Sequence, residues 1–199
     1  MSDTYKTITN LAQGIYKEKG SKFLSFAIPI SSIDEVKEIV KNYRKEYFDA
    51  RHVCYAYMIG NERLEWRAND DGEPSGTAGR PILGQINSHE LTNILVIVIR
   101  YFGGILLGTG GLVSAYKEAT ADALNNAQII EKMVEESIFI NFDYLFMNDV
   151  MRIIKDTNAQ IVQQTYNNEC TMQLSINKKD SEVINSKLKK IIGLKIELK

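Results

Sequence analysis

Cysteine, histidine, proline and tryptophan are all scarce in this chain of 199 residues, with 2, 2, 3 and 1 copies. Cys54 and Cys170 stand far apart and form no CxxC pair, which excludes a disulfide framework and a thiol-rich zinc module. Two free thiols are expected instead. His52 and His89 are the only histidines, and the zinc-deaminase pattern HxE…PCxxC is absent. Long apolar runs are missing too: the longest, residues 94–99, is far short of the ~20 that span a bilayer. The opening Met1-Ser2-Asp3-Thr4-Tyr5-Lys6 lacks the basic-then-apolar order of a secretory signal. A cytoplasmic protein with no membrane partner is the expectation.

An excess of either charge is also lacking. The net charge is −1 and the pI about 6.2. Residues 136–199 hold 9 Lys and Arg against 8 Asp and Glu, and residues 1–135 hold 15 against 17. Neither part has the positive surplus of a non-specific nucleic-acid binder, so any such contact must be local. What is present is ordinary globular material, 44% hydrophobic and 25% charged. The length suits one large domain or two small ones.

Residues 4–9 and Ser21–Pro29 read as strands, with a turn around Gly14 and a polar stretch at 17–20 between them. Ser31 or Ser32 caps a helix whose apolar stripe is Val36, Val40, Tyr43 and Tyr47. His52–Ile59 is a β-rich run that leads through Gly60-Asn61-Glu62 to a second strand at 64–68. Residues 69–76 show no periodicity, and 77–89 read as a short helix. Ile94–Tyr101 is continuous enough for a strand buried on both faces. A glycine-rich loop, 102–111, then enters a helix over 111–128, with Leu112, Tyr116, Ala119, Ala123 and Ala127 inward.

After Glu131 the predicted order is β-α-β-β-α-β. Its strands are one through Ile138, Ile140 and Phe142, then Gln160–Tyr166 and Cys170–Asn177 joined at Asn167-Asn168, and finally 194–198. Its helices are 143–157 and 181–192, the second ended by Gly193. This is the ferredoxin-like pattern. The fold class is therefore α+β, with domains at 1–132 and 136–199.

Two loops carry the chemistry. The first is Arg100-Tyr101-Phe102-Gly103-Gly104 with Gly108-Thr109-Gly110-Gly111-Leu112, between a buried strand and a helix. Glycine permits positive φ and close backbone approach, and free N–H groups at a helix N-terminus form an anion site. Arg100 and Thr109 add a charged fork and a hydroxyl. The alternative is a tight packing turn with no ligand. The loop is neither a Walker loop nor a dinucleotide GxGxxG.

The second loop is Asp70-Asp71-Gly72-Glu73-Pro74-Ser75-Gly76-Thr77-Ala78-Gly79-Arg80-Pro81. Its carboxylates Asp70, Asp71 and Glu73 either hold a divalent cation or cap a helix and meet Arg80 or Arg100. The second use is favoured, because one acidic cluster is not a cage, and neither a cofactor nor a metal is expected. Ser75 and Thr77 have no identifiable base, and GEPSGT is not a GxSxG elbow, so no catalytic residue is assigned. His52, on the same strand face as Cys54, is expected to be a hydrogen-bonded histidine near this loop. In the second domain, Thr171, Gln173 and Ser175 replace the stacking aromatics of an RRM surface. The seven lysines and three acids of 178–199 read as a solvated face.

Both loops, with Lys19-Gly20-Ser21-Lys22-Phe23 and His52-Val53-Cys54-Tyr55-Ala56, resemble the YigZ/IMPACT family over essentially the whole chain. The resemblance implies a first domain like domain 2 of ribosomal protein S5 and a second like the last domain of elongation factor G. Eukaryotic members carry an extra RWD domain and restrain starvation signalling to translation initiation. The 199 residues resemble the short bacterial form, and the expectation is a protein without that domain. Ser114 stands where many relatives carry an arginine, which removes a positive charge beside the loop. The expectation is a non-enzymatic, translation-associated protein contacting RNA or a ribosome-associated partner. Its anion-binding residues are Arg80, Arg100, Gly103, Gly104, Thr109, Gly110 and Gly111, supported by His52 and Lys22. The competing expectation is a Mg-dependent nucleotide- or phosphoester-binding enzyme on the same S5-like fold, with Asp70, Asp71 or Glu73 on the ion.

Overall fold

The structure, a computed structural model, describes residues 3–167 and 169–198, so Asn168 of the expected turn lies outside the described residues. The chain divides into two compact units, one of Tyr5–Lys132 and one of residues 133–198 with Asp3 and Thr4.

The first unit is built on a five-stranded antiparallel sheet. Its strands are β2 (Ala12–Glu18), β3 (Ser21–Pro29), β4 (His52–Ile59), β5 (Glu65–Asn69) and β6 (Ile94–Tyr101), in the order β2-β3-β6-β4-β5. β1 (Thr4–Ile8) pairs separately with β7 (Ile129–Met133), a strand the sequence reading did not contain. The central strand β6 explains the two-sided core. Ile94, Val96 and Val98 enter the cluster with α2 (Gly79–Ser88) and α3 (Gly108–Asn125), while Leu95, Ile97 and Ile99 face α1 (Ile33–Glu46). Burying each of these side chains contributes roughly 1.5–3 kcal/mol.

The α1 helix starts as its sequence dictates, with Ser32 accepting from the Glu35 amide and the Glu35 carboxylate accepting from Ser31. Gly14 is a correction. It lies within β2 rather than in a turn, because a Cβ there would meet the Ala123 amide at 2.4 Å. The missing side chain lets α3 lie directly on the edge strand, where Asp122 accepts from the Ile15 amide at 2.8 Å. A second correction concerns α3, which begins at Gly108 and thereby absorbs the last four residues of the expected loop, 108–111, into a helical turn.

The second unit runs β8 (Glu135–Phe142), α4 (Met147–Asp156), β9 (Gln160–Tyr166), β10 (Cys170–Asn177), α5 (Ser181–Leu188) and β11 (Lys195–Leu198). Its sheet is antiparallel in the order β11-β8-β10-β9. The register sets Phe142 opposite Cys170, Ile140 opposite Met172 and Ile138 opposite Leu174. All six are buried in one cluster with Val150, Ile154, Ile184 and Leu188 from the helices. The last helix is shorter than its apolar spacing suggests. It ends at Leu188, and turns through Ile191 and the positive φ of Gly193 (84°) leave Ile192 exposed. No helix among the described residues is long and apolar enough to cross a membrane.

Candidate functional site

The acidic loop and the glycine-rich segment meet at one end of the first unit's sheet. β6 delivers Arg100 there, because its position continues the alternation of Ile94, Val96 and Val98 toward the α3 side. β4 delivers His52, which pairs directly with Arg100 in the ladder.

Each carboxylate of the acidic loop has a separate engagement. Asp70 accepts from the amides of Ala78 and Gly79 on one oxygen and from Gly76 on the other, at 2.8–3.0 Å. It thus satisfies the start of α2, whose own cap residue, Ala78, has no side-chain acceptor. Burial works to raise the Asp70 pKa, but those three amides and the Arg80 charge outweigh it and hold the carboxyl below its usual range. Asp71 accepts from Arg44 at 2.5 Å and from the Val53 amide at 2.6 Å. Its carbonyl oxygen lies 2.8 Å from His52 Nδ1; a carbonyl only accepts, so Nδ1 is the donor.

Glu73 turns inward. One oxygen accepts from Arg100 Nη1 at 2.7 Å and from the Tyr116 hydroxyl at 2.8 Å, and the Arg100 and Glu73 side chains are only 7% and 3% exposed. The Cys54 thiol lies 3.3 Å from the Tyr116 oxygen and 3.0 Å from the Asp70 carbonyl oxygen. Burial pushes the pKa values of both Cys54 and Tyr116 up, which favours the protonated thiol and phenol.

Arg100 is only partly committed. Its guanidinium carbon stands 5.5 Å from the Phe23 ring centre and 5.7 Å from that of Phe102. Its Nε is buried with no hydrogen-bond partner among the described residues, which is rare for a charged donor. Beside it, α3 opens from Leu107, which supplies no capping side chain. Among the described residues, no acceptor outside the helix meets the amides of Gly108, Thr109 or Gly110.

These groups border a cleft of about 440 Å³. Arg51, His52, Gly72, Glu73 and Pro74 form one wall; Phe102, Leu106, Leu107, Gly108, Thr109 and Leu112 form the other, with Arg100 also in the lining. Of the sequence-derived candidates, His52, Glu73, Arg100 and Thr109 line the cleft. Gly110 and Gly111 lie in the same first turn of α3. Asp70 and Asp71 brace the loop from outside the lining. Gly103 serves packing: its amide donates to Ser21 Oγ, and a Cβ there would sit 1.9 Å from the Gly20 backbone. Gly104 has a φ of 86° and open space around it. Arg80 is exposed on α2, and Lys22 is exposed on β3 opposite Tyr101; neither lines the cleft.

Sequence reasoning missed the Tyr116 hydroxyl, which it counted only as part of an apolar stripe, and Arg51, which adjoins His52. A tyrosine among the alanines of the α3 stripe was the available signal, since a buried hydroxyl needs a partner.

A five-stranded antiparallel sheet with helices on both faces, closing an acidic loop over an open helix N-terminus, defines the class of module. Residues 19–124 match the Impact N-terminal domain, and the chain belongs to the IMPACT family. It is 27% identical to IMPACT family member YvyE of Bacillus subtilis over 199 residues, 100% of this chain and 92% of that one. It is 33% identical to IMPACT family member YigZ of Escherichia coli over 150 residues, 74% of each chain. A solved crystal structure of a hypothetical protein superposes with a TM-score of 0.79 at 26% identity, covering 98% of this chain and 97% of the other.

Proposed function

We propose that this protein is a non-enzymatic, translation-associated binding protein whose cleft holds a phosphate of RNA or of a ribosome-associated partner. The single observation that carries the reading is the unpartnered, buried Nε of Arg100 beside the uncapped N-terminus of α3. A buried cationic donor without an acceptor costs free energy unless a ligand supplies one, and helix N-terminal amides favour a phosphate. Phe102 is 44% exposed beside the cleft and offers a ring face for a base. The likeness of the two units to domain 2 of ribosomal protein S5 and to a ferredoxin-like domain of elongation factor G belongs to the same reading.

The metal-dependent enzyme is the weaker alternative. Asp70, Asp71 and Glu73 face backbone amides, Arg44 and Arg100 rather than converging on one point.

Ribosome co-sedimentation and fluorescence anisotropy with a uridine dodecamer, each across a salt series, test the reading. Binding is expected to weaken as salt rises and to drop at least ~10-fold in Thr109→Glu, which sets a negative charge where the phosphate lies. Indifference to ribosomes and RNA, with no salt slope, overturns it. A calorimetric ATP or GTP site that needs Mg²⁺ and vanishes in Asp71→Ala supports the enzyme instead.

A further inference from the structure

The opposite face of the same sheet carries a second groove. Among the described residues α1 is the one helix that packs on this face, and a groove of about 430 Å³ lies between it and β4–β5. Ile33, Val36, Val40, Tyr55 and Tyr57 contribute its apolar lining, and every charged residue in the lining is basic: Lys37, Lys41, Arg44, Lys45 and Arg67. The chain as a whole carries −1, so this cluster is a local segregation. It arises from helical spacing. Positions 33, 36, 37, 40, 41, 44 and 45 of α1 form one stripe, while Asp34, Glu35, Glu38 and Glu46 fall outside it.

The cations are unevenly committed. Lys37 pairs with Asp34, exposed and therefore weakly, and Arg44 with Asp71. Lys41, Lys45 and Arg67 have no ion pair or hydrogen bond among the described residues. The nearest acid on that face of β5 is Glu65, two residues from Arg67 and outside the lining.

We infer that this groove binds an acidic, amphipathic peptide segment of a partner protein, with apolar side chains on the groove floor and carboxylates against Lys41, Lys45 and Arg67. Charge complementarity selects an anionic partner. The floor favours peptide over RNA: its helix side is aliphatic and Tyr57 is only 6% exposed, which leaves the half-buried Tyr55 as the single ring in the lining with open surface, short of the successive rings on which a single strand stacks. The stripe from residue 33 to 45 extends about 18 Å at 1.5 Å per residue, a match for three turns of an amphipathic helix laid in a groove. Arg100 projects from the other side of β6, and the groove adjoins the cleft wall through Arg44, whose partner Asp71 braces the acidic loop; Lys41, Lys45 and Arg67 have no such tie among the described residues.

Panning a displayed library of random dodecapeptides on the full chain, with counter-selection on Lys41→Glu/Lys45→Glu, tests the inference. Both lysines are exposed, and an unchanged circular dichroism melt verifies the fold of the variant. The expected winners are acidic with apolar residues at helical spacing. As labelled synthetic peptides they lose at least ~10-fold in affinity for the double variant and none for Thr109→Glu. Failure to enrich acidic sequences overturns the inference, as does affinity indifferent to the double variant. So does displacement of the selected peptide by a uridine dodecamer with wild-type and Thr109→Glu protein alike. The cleft reading stands or falls on Thr109→Glu instead, so the two fail separately.

Discussion

The two segments that border the cleft are opposites. In the acidic loop every carboxylate has been answered, by the α2 amides, by Arg44 or by Arg100 and Tyr116. At the start of α3 the amides of Gly108, Thr109 and Gly110 meet no acceptor outside the helix among the described residues, and Arg100 between the two segments bonds Glu73 through Nη1 while its buried Nε has no partner there. The sequence leaves the carboxylates open to a cation but favours helix capping and arginine pairing, and here they meet the α2 amides, Arg44 and Arg100; the glycine-rich amides it reads as an anion site have no such protein partner at Gly108, Thr109 and Gly110 among the described residues. Removing the buried partner breaks the contrast most severely. Glu73→Ala leaves the Arg100 charge and the Tyr116 hydroxyl without their acceptor, and should lower unfolding free energy by about 3–5 kcal/mol in a urea titration. A loss under ~1 kcal/mol means that water already answers Arg100.

Gly103 comes next. Its backbone presses on Gly20 and Ser21, so the methyl of Gly103→Ala forces the β2–β3 turn away and should cost about 1–3 kcal/mol. Asp70→Asn follows, at about 1–2 kcal/mol, since the amide side chain accepts less strongly from the three α2 amides. This variant also carries a pH signature. The native Asp70 pKa lies below its ordinary 3.8, so its stabilisation is complete above that value and is lost as pH falls through the lowered native pKa. Acid unfolding of Asp70→Asn should therefore be less steep below pH ~4 than that of the wild type.

Much of this architecture is legible in the letters because the relevant forces are local or periodic. The Ser32 cap, the run of β6 and the alternation of β10 all follow from spacing. Gly14 misleads because its reason is a helix more than a hundred residues away, at Ala123. β7 escapes because its strand is short and mostly exposed, and among the described residues it pairs with β1 alone. Likewise, Arg80 and Arg100 look equivalent beside the acidic loop. Only the parity of β6 sends one inside, while the first turn of α2 leaves the other exposed.

Gly110 gives the smallest effect on stability and the sharpest on meaning. A Cβ there meets nothing within 4 Å, and its backbone is helical, so neither packing nor φ requires a glycine. In a helix that glycine is a weakness, and Gly110→Ala should raise stability by about 0.5 kcal/mol. If a phosphate seats against this turn, the same methyl obstructs its approach, and uridine-dodecamer affinity should fall while the melting temperature rises. Opposite movements of stability and binding are what a fold alone cannot produce. An alanine variant that is more stable and binds equally well removes the ligand from the α3 terminus, leaving Arg100 to be explained by buried water.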